Sequence, residues 1–235
     1  MNKGTYYKEG IQAGIPIALG YFAVSFAFGI LALNKGLSVW EAVIISLSNL
    51  TSAGQFAGLQ IIAASGSLLE LSLSQLVINL RYCLMSFSLS QKLRKDEPFY
   101  HRFLIGFAVT DEIFGVSALY PGKSSAYFHY GAMSMAIPGW VFGTLCGALL
   151  GDVLPSLVCD VLSVSLYGMF IAIIIPPCKG DRILTLVVAA SMFMSSLFFV
   201  IPFLKDISSG FVVIIVTLSV SLLAALFCPR EEADD

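Results

Sequence analysis

Apolar residues run along this chain in long stretches separated by short polar breaks, at roughly 11–33, 40–64, 67–90, 103–120, 128–151, 157–176, 183–202 and 211–228. A helix needs about 20 residues to cross the hydrocarbon of a bilayer. Each stretch therefore predicts a helix at membrane depth. The breaks carry turn-forming residues: Asn34-Lys35-Gly36, Ser65-Gly66-Ser67, Lys92 to Pro98, Pro121-Gly122, Pro155, Pro176-Pro177 and Ser208-Ser209-Gly210. No water-soluble domain fits between them. The pattern predicts an all-α, polytopic membrane bundle: one transmembrane domain over 1–228 and a short acidic tail over 229–235.

Within the second stretch the pattern changes. Ser46-Leu47-Ser48-Asn49-Leu50-Thr51-Ser52-Ala53-Gly54-Gln55 is polar and rich in cap-forming residues. Non-helical backbone survives at membrane depth only where protein or a water-filled cavity surrounds it. One reading breaks the helix here, with Thr51 or Ser52 capping a half-helix that starts near Gly54. Its free N–H groups would suit a substrate carboxylate. The other reading is a continuous helix whose small polar residues bond its neighbours.

The third stretch carries a polar stripe, Ser72, Gln75, Asn79, Tyr82, Ser86 and Ser90, spaced for one helical face. The fourth holds Asp111 and Glu112 in a run, Phe103 to Tyr120, otherwise free of charge. Each charge at the bilayer centre costs about 2.5–3.5 kcal/mol or more, so such groups face a cavity or a partner. Arg81 lies equally deep in the third stretch, and Asp111 or Glu112 is its natural partner. Adjacent helical residues point about 100° apart, so one carboxylate pairs while the other is left to titrate. A purely structural clamp between two helices is the alternative. In the fifth stretch Gly139, Gly143, Gly147 and Gly151 recur every fourth residue, a flat face for close helix approach from this chain or another subunit. Pro16, Gly20 and Pro138 are expected to loosen their helices. Pro16–Gly29 and Pro138–Gly151 share one spacing, a weak sign of a repeat.

Composition supports the membrane class. Hydrophobic residues are 57% and charged residues 12%, against ~25% charged in soluble domains. A net charge of −2 gives no basic field for nucleic acid. Cys83, Cys146, Cys159, Cys178 and Cys228 are scattered and read as apolar residues, not a disulfide framework. His101 and His129 stand at stretch edges without ligand partners, so neither a metal nor a cofactor is expected. The first stretch is too long for a signal-peptide core. Gly122-Lys123-Ser124 lacks the upstream glycine of a phosphate-binding loop, and Asn49-Leu50-Thr51 is a sequon inside an apolar run.

Loop charge gives the orientation. With eight crossings, Lys and Arg divide six to six. With the second stretch re-entrant, Lys3, Lys8, Lys92, Arg94, Lys95, Arg102 and Lys205 face Lys35, Lys123, Lys179, Arg182 and Arg230, seven to five. The preferred topology is seven spans plus one re-entrant segment, N-terminus inside.

Several elements occur in one order: Pro16, Gly20-Tyr21-Phe22, Phe26-Ala27-Phe28-Gly29, Ala53-Gly54-Gln55-Phe56-Ala57, Val77-Ile78-Asn79-Leu80-Arg81-Tyr82, Ser86 to Leu89, and Thr110-Asp111-Glu112. In this the chain resembles the AzlC-type branched-chain amino acid permease family, the large subunit of a two-component exporter. The resemblance covers the first half of the chain. It implies a cell-membrane protein that works with a small AzlD-type subunit to move branched-chain amino acids, often outward. Family members often carry His where Tyr82 stands, and Thr51-Ser52 is more polar than the usual residues there.

The expected function is proton-coupled export of a small apolar amino acid. Thr51, Ser52, Gly54, Gln55 and Asn79 are the expected substrate contacts, and Arg81, Asp111 and Glu112 the coupling group. Two other classes remain: an intramembrane enzyme using Asp111 and Glu112 as acid and base, and a structural membrane subunit built around the glycine face.

Overall fold

The computed structural model describes residues 2–94, 96–151, 157, 164, 171, 174, 175 and 178–228. Most of the sixth apolar stretch, the turns at Pro155 and Pro176-Pro177, Lys95, Cys159, Arg230 and the acidic tail lie outside the described residues. The helices are α1 (Lys3–Asn34), α2 (Val39–Ser48), α3 (Ala53–Ala63), α4 (Leu68–Lys92), α5 (Tyr100–Gly106), α6 (Asp111–Ala118), α7 (Ala126–Leu150), α8 (Arg182–Val200) and α9 (Ser209–Phe227). Among the described residues, α1, α4, α7, α8 and α9 are long and apolar enough to cross a membrane. The chain packs as two compact units, residues 1–55 with 79–166 and residues 56–78 with 167–235.

The first unit is organised by α1 and α7, which run side by side in the same direction. A side chain added at Gly139 would meet the Ala18 carbonyl at 2.6 Å, and at Gly143 the Phe22 carbonyl at 2.5 Å. At Gly147 it would collide with the Phe26 carbonyl. The glycine face of the fifth stretch is thus filled by this chain's own first helix, backbone against backbone. Gly10, Gly14 and Gly29 make the reciprocal approach from α1. Gly151 is looser, since its nearest neighbour beyond α7 is the flexible Ile30 side chain at 3.1 Å. Pro16 and Pro138 do not interrupt their helices; both run through.

The second stretch is broken. Ser38 opens α2 with a capping box, its hydroxyl accepting from Glu41 N while the Glu41 carboxylate accepts from Ser38 N at 2.7 Å. Those bonds hold the Glu41 carboxyl below the usual range. After ten residues the chain extends at Asn49 and turns left-handed at Ser52, φ 40°, before α3 begins.

The fourth stretch departs from expectation: it is no single span but two short helices, α5 and α6, whose flanking segments meet. Leu93 pairs with Ser124 as an isolated bridge, Arg94 N donates to Ser124 O at 3.1 Å, and Ser124 N to Lys92 O at 3.0 Å. Glu97 reaches the start of α7, accepting from Ala126 N at 2.7 Å. The segment therefore enters and returns at the end of the unit where α1 and α7 begin. Its physical cause is the Thr110-Asp111-Glu112 triplet. Thr110 caps α6, accepting from Ile113 N, and both acids fall in the first helical turn, where the helix dipole favours them.

This hairpin moves Lys123 to the same end as Lys92. Among the described residues of the first unit, Lys3, Lys8, Lys92, Arg94, Arg102 and Lys123 then lie toward one end and Lys35 at the other. For these seven residues the expected five-to-two division becomes six to one.

The second unit has its own core, Phe198, Val212, Val216 and Val220 between α8 and α9. The buried Glu70, in the first turn of α4, accepts from the Ser208 hydroxyl and so ties the start of α4 to the start of α9. The four described cysteines are free.

Candidate functional site

The first unit gathers its polar side chains around the two helix breaks. At the second break Arg81 Nη2 of α4 stands 2.9 Å from Asp111 Oδ2 of α6, with the two side chains 41% and 26% exposed. Arg81 also donates to the Tyr82 hydroxyl at 3.2 Å and lies over that ring. Glu112 points elsewhere, as neighbouring helical positions must. Its Oε2 accepts from the Tyr21 hydroxyl at 2.6 Å, and the same hydroxyl is 2.6 Å from Thr110 Oγ1. Because a phenol has one proton, Tyr21 donates to the carboxylate and accepts from Thr110. Of the two carboxylates, one of which was expected to pair and the other to stay free, Asp111 pairs and Glu112 is hydrogen-bonded, though by a neutral group.

Tyr21 continues inward. Its ring meets Trp140 of α7 edge-on at 5.2 Å. Trp140 Nε1 donates to Gln55 Oε1 at 3.0 Å, Gln55 Nε2 donates to Ser46 Oγ at 2.6 Å, and Ser46 and Thr144 hydroxyls bond at 2.7 Å. All five side chains are buried. A chain of contacts therefore links the neutral break, through α7 and α1, to the charged one.

The expected substrate residues divide accordingly. Gln55 is 1% exposed, with both ends of its amide already engaged. It pins the start of α3 to α2 and α7, which leaves it little capacity as a first contact for a substrate. Thr51 turns back on Asn49, donating its hydroxyl to Oδ1 at 2.7 Å and its N–H at 3.3 Å. Ser52 directly precedes α3, but its hydroxyl makes no bond to the described residues and caps nothing. Gly54 is buried in the first turn of α3. Asn79 lies on α4 two residues before Arg81, its carboxamide oxygen shielded from solvent. Along the stripe Ser72 is exposed, while Gln75, Asn79, Tyr82, Ser86 and Ser90 are half-buried.

Several members of this network were not singled out from the sequence as site residues. Tyr21, Trp140 and Thr144 sit in ordinary apolar runs, and Ser46 was read only as the start of the polar break. A usable signal exists for the aromatics, because a Trp N–H or Tyr O–H at membrane depth must find an acceptor. His129 keeps its place near a stretch edge, in the first turn of α7. It is fully buried, between the Ser117 and Ser124 hydroxyls at 3.0 Å each. Among the described residues, no group of three His, Cys, Asp or Glu is placed to hold a metal ion.

Fold and network together define a helical membrane protein with an internal charged cluster at a helix break. Sequence comparison gives the family. The family model described as AzlC protein matches residues 16–154, and the chain belongs to that family. An uncharacterised membrane protein of Archaeoglobus fulgidus is 31% identical over 185 residues, 78% of this chain and 81% of that one. The inner membrane protein YgaZ of Escherichia coli is 30% identical over 154 residues, 62% of this chain and 61% of its own. An uncharacterised membrane protein of Helicobacter pylori is 27% identical over 149 residues, 62% of this chain and 64% of its own. The match thus spans under two thirds of the two bacterial relatives. No solved structure matches the chain.

Proposed function

We propose that this protein is a transporter for branched-chain or similar small apolar amino acids, that it exports them from the cell across the plasma membrane, and that it works with a small AzlD-type subunit. The observation that carries the reading is the Arg81–Asp111 pair beside Glu112 at the start of α6. Charges of both signs held at a helix break form a site for a zwitterion, whose carboxylate and ammonium need opposite partners. The positive end of the α6 dipole adds to the carboxylate side. Glu112, bonded by a hydroxyl and not by Arg81, is the group proposed to meet the ammonium or exchange a proton with it. The protein carries no chemistry of its own in this reading and is not an enzyme.

Two arguments support the topology. The basic end of the first unit faces the cytoplasm by the positive-inside rule. α4 finishes at that end, beside Ser124, so an α4 that crosses must begin at the opposite face. Residues 39–63 then enter and leave at that opposite face. The two broken segments are re-entrant from the two sides.

Counterflow in liposomes tests the function. Reconstituted protein, with and without the small subunit, is loaded with unlabelled L-leucine and offered labelled L-leucine or L-lysine. Leucine exchange that lysine does not show, and that an imposed proton gradient accelerates, is expected. Absence of exchange with either amino acid, with the partner present, removes the transporter reading. Single cysteines at Lys3, Lys35 and Lys123, in a background free of native cysteines, report topology in the same vesicles. Lys3 and Lys123 must label from one face and Lys35 from the other.

A further inference from the structure

At the basic end of the first unit, two lysines cross-cap two helix ends. Lys92, the last residue of α4, donates to the carbonyl of Ala118, the last residue of α6. Lys123, after α6, donates to the carbonyl of Gln91 in the last turn of α4 at 2.7 Å. Cations at helix C-termini are favourable. Each ammonium has three N–H donors and spends one here. The rest are available to an open pocket lined by Ser88, Gln91, Lys92, Gly122 and Lys123.

No carboxylate among the described residues pairs with either lysine. The acidic neighbours are taken: Asp96 pairs with Arg94 at 2.7 Å, and Glu97 accepts from Ala126 N and the Ser125 hydroxyl. Among the described residues, the pocket lining is thus positive and holds no carboxylate. Directly beneath it α4 is apolar and uncovered. Leu80, Leu84 and Phe87 are 53%, 73% and 70% exposed, and Leu119 beside the pocket is 85% exposed. Leu80, Leu84, Phe87, Ser88 and Gln91 follow helical spacing on one face of α4. At 1.5 Å per residue, Leu84 lies about 10 Å below Gln91. An anionic, hydrogen-bond-accepting head above and a hydrocarbon tail below is the chemistry that this surface complements.

We propose that the pocket between Lys92 and Lys123 binds the phosphate head group of an anionic phospholipid, whose acyl chain lies along Leu80, Leu84 and Phe87. The assignment does not depend on what the protein transports.

Purified full-length protein is tested by native mass spectrometry after exchange into phosphatidylglycerol or phosphatidylcholine. Wild type should retain phosphatidylglycerol preferentially and release it as salt rises. Lys92→Gln and Lys123→Gln should each weaken retention about fivefold, and the double variant about 25-fold. The Lys92→Arg/Lys123→Arg pair should retain the lipid, and Lys35→Gln, at the other end, should behave as wild type. Thermal unfolding in phosphatidylcholine checks that the variants fold. If the Gln variants do not fold, the wild-type salt titration and the Arg pair still decide. Four results overturn the proposal: no lipid preference in wild type; retention insensitive to salt; retention unchanged in a folded double variant; or full displacement by inorganic phosphate, which makes the pocket a free-anion site. A co-purifying protein lost from the double variant, with no lipid preference in wild type, overturns it in favour of a protein partner.

Discussion

The first unit contains two helix breaks of different electrostatic character. At Asn49–Ser52 the break is neutral, and its surroundings are sealed: Gln55, Ser46, Thr144 and Trp140 satisfy one another in a fully buried ring of bonds. At Phe107–Thr110 the break leads into two carboxylates and an arginine that remain partly open. A saturated polar network fixes geometry, because each of its members is costly to release. A charged and partly open one has capacity left for a ligand. In the proposed reading the first break supplies the frame and the second the ligand site, even though the sequence motif around Gln55 draws attention to the first.

The largest effect is expected at the charged break. Arg81→Ala should lower amino-acid flux about 100-fold, which is ~2.7 kcal/mol of barrier. Its effect on stability should be smaller. Breaking a fully buried pair costs about 3–5 kcal/mol, but with both groups partly exposed the expected loss is about 1–2 kcal/mol. In a double-mutant cycle, adding Asp111→Ala should recover part of that stability loss, whereas adding Glu112→Ala should not. Purely additive losses with Asp111→Ala would dissolve the pair. Coupling to Glu112 instead would reassign it.

How much of this was legible beforehand depended on whether the deciding signal was local. The break in the second stretch was readable because Asn49, Thr51, Ser52 and Gly54 are poor residues for a lipid-facing helix. The α1–α7 contact was half readable: Gly139, Gly143 and Gly147 announced a close approach, and only the fold names Ala18, Phe22 and Phe26 as what approaches. The hairpin of α5 and α6 was missed because the apolar run from Phe103 to Tyr120 has the length of a span. Yet a start signal lay within it, a Thr cap followed by two acids. Charge counting suffered in turn, since Lys123 falls on the wrong side if that run is taken to cross. The role of Gln55 was not legible at all. Whether an amide at membrane depth greets a ligand or a Trp N–H depends on α7, some 85 residues away in sequence.

The neutral break should respond differently, and less in flux than in stability. Gln55→Leu removes the acceptor for Trp140 Nε1 and the donor to Ser46. Trp140 is 1% exposed, so its N–H is left without a partner at a cost of about 2 kcal/mol. Ser46 keeps Thr144. Thermal unfolding in detergent should register the loss, while flux per folded molecule should fall within about threefold, ~0.6 kcal/mol of barrier. A collapse of flux at unchanged stability would instead return Gln55 to the substrate.

The smallest effect is expected at Ser52, and its sign is what matters. Ser52 holds φ at 40°, and its hydroxyl makes no bond to the described residues. A non-glycine residue in this left-handed region costs about 1 kcal/mol, which glycine does not incur. Ser52→Gly should therefore be neutral or stabilising by up to ~1 kcal/mol, the gain being offset by glycine's freer unfolded chain. If the break is frame alone, flux and apparent KM stay at wild-type values. If the unengaged hydroxyl at the start of α3 is kept for a substrate carboxylate, KM rises although stability does not fall, because one donor is lost from a site that is otherwise intact. A clear loss of stability would refute the strain reading and give Ser52 a structural bond in the folded protein. Measuring unfolding and KM on this one variant thus separates frame from chemistry at the break where the two are hardest to tell apart.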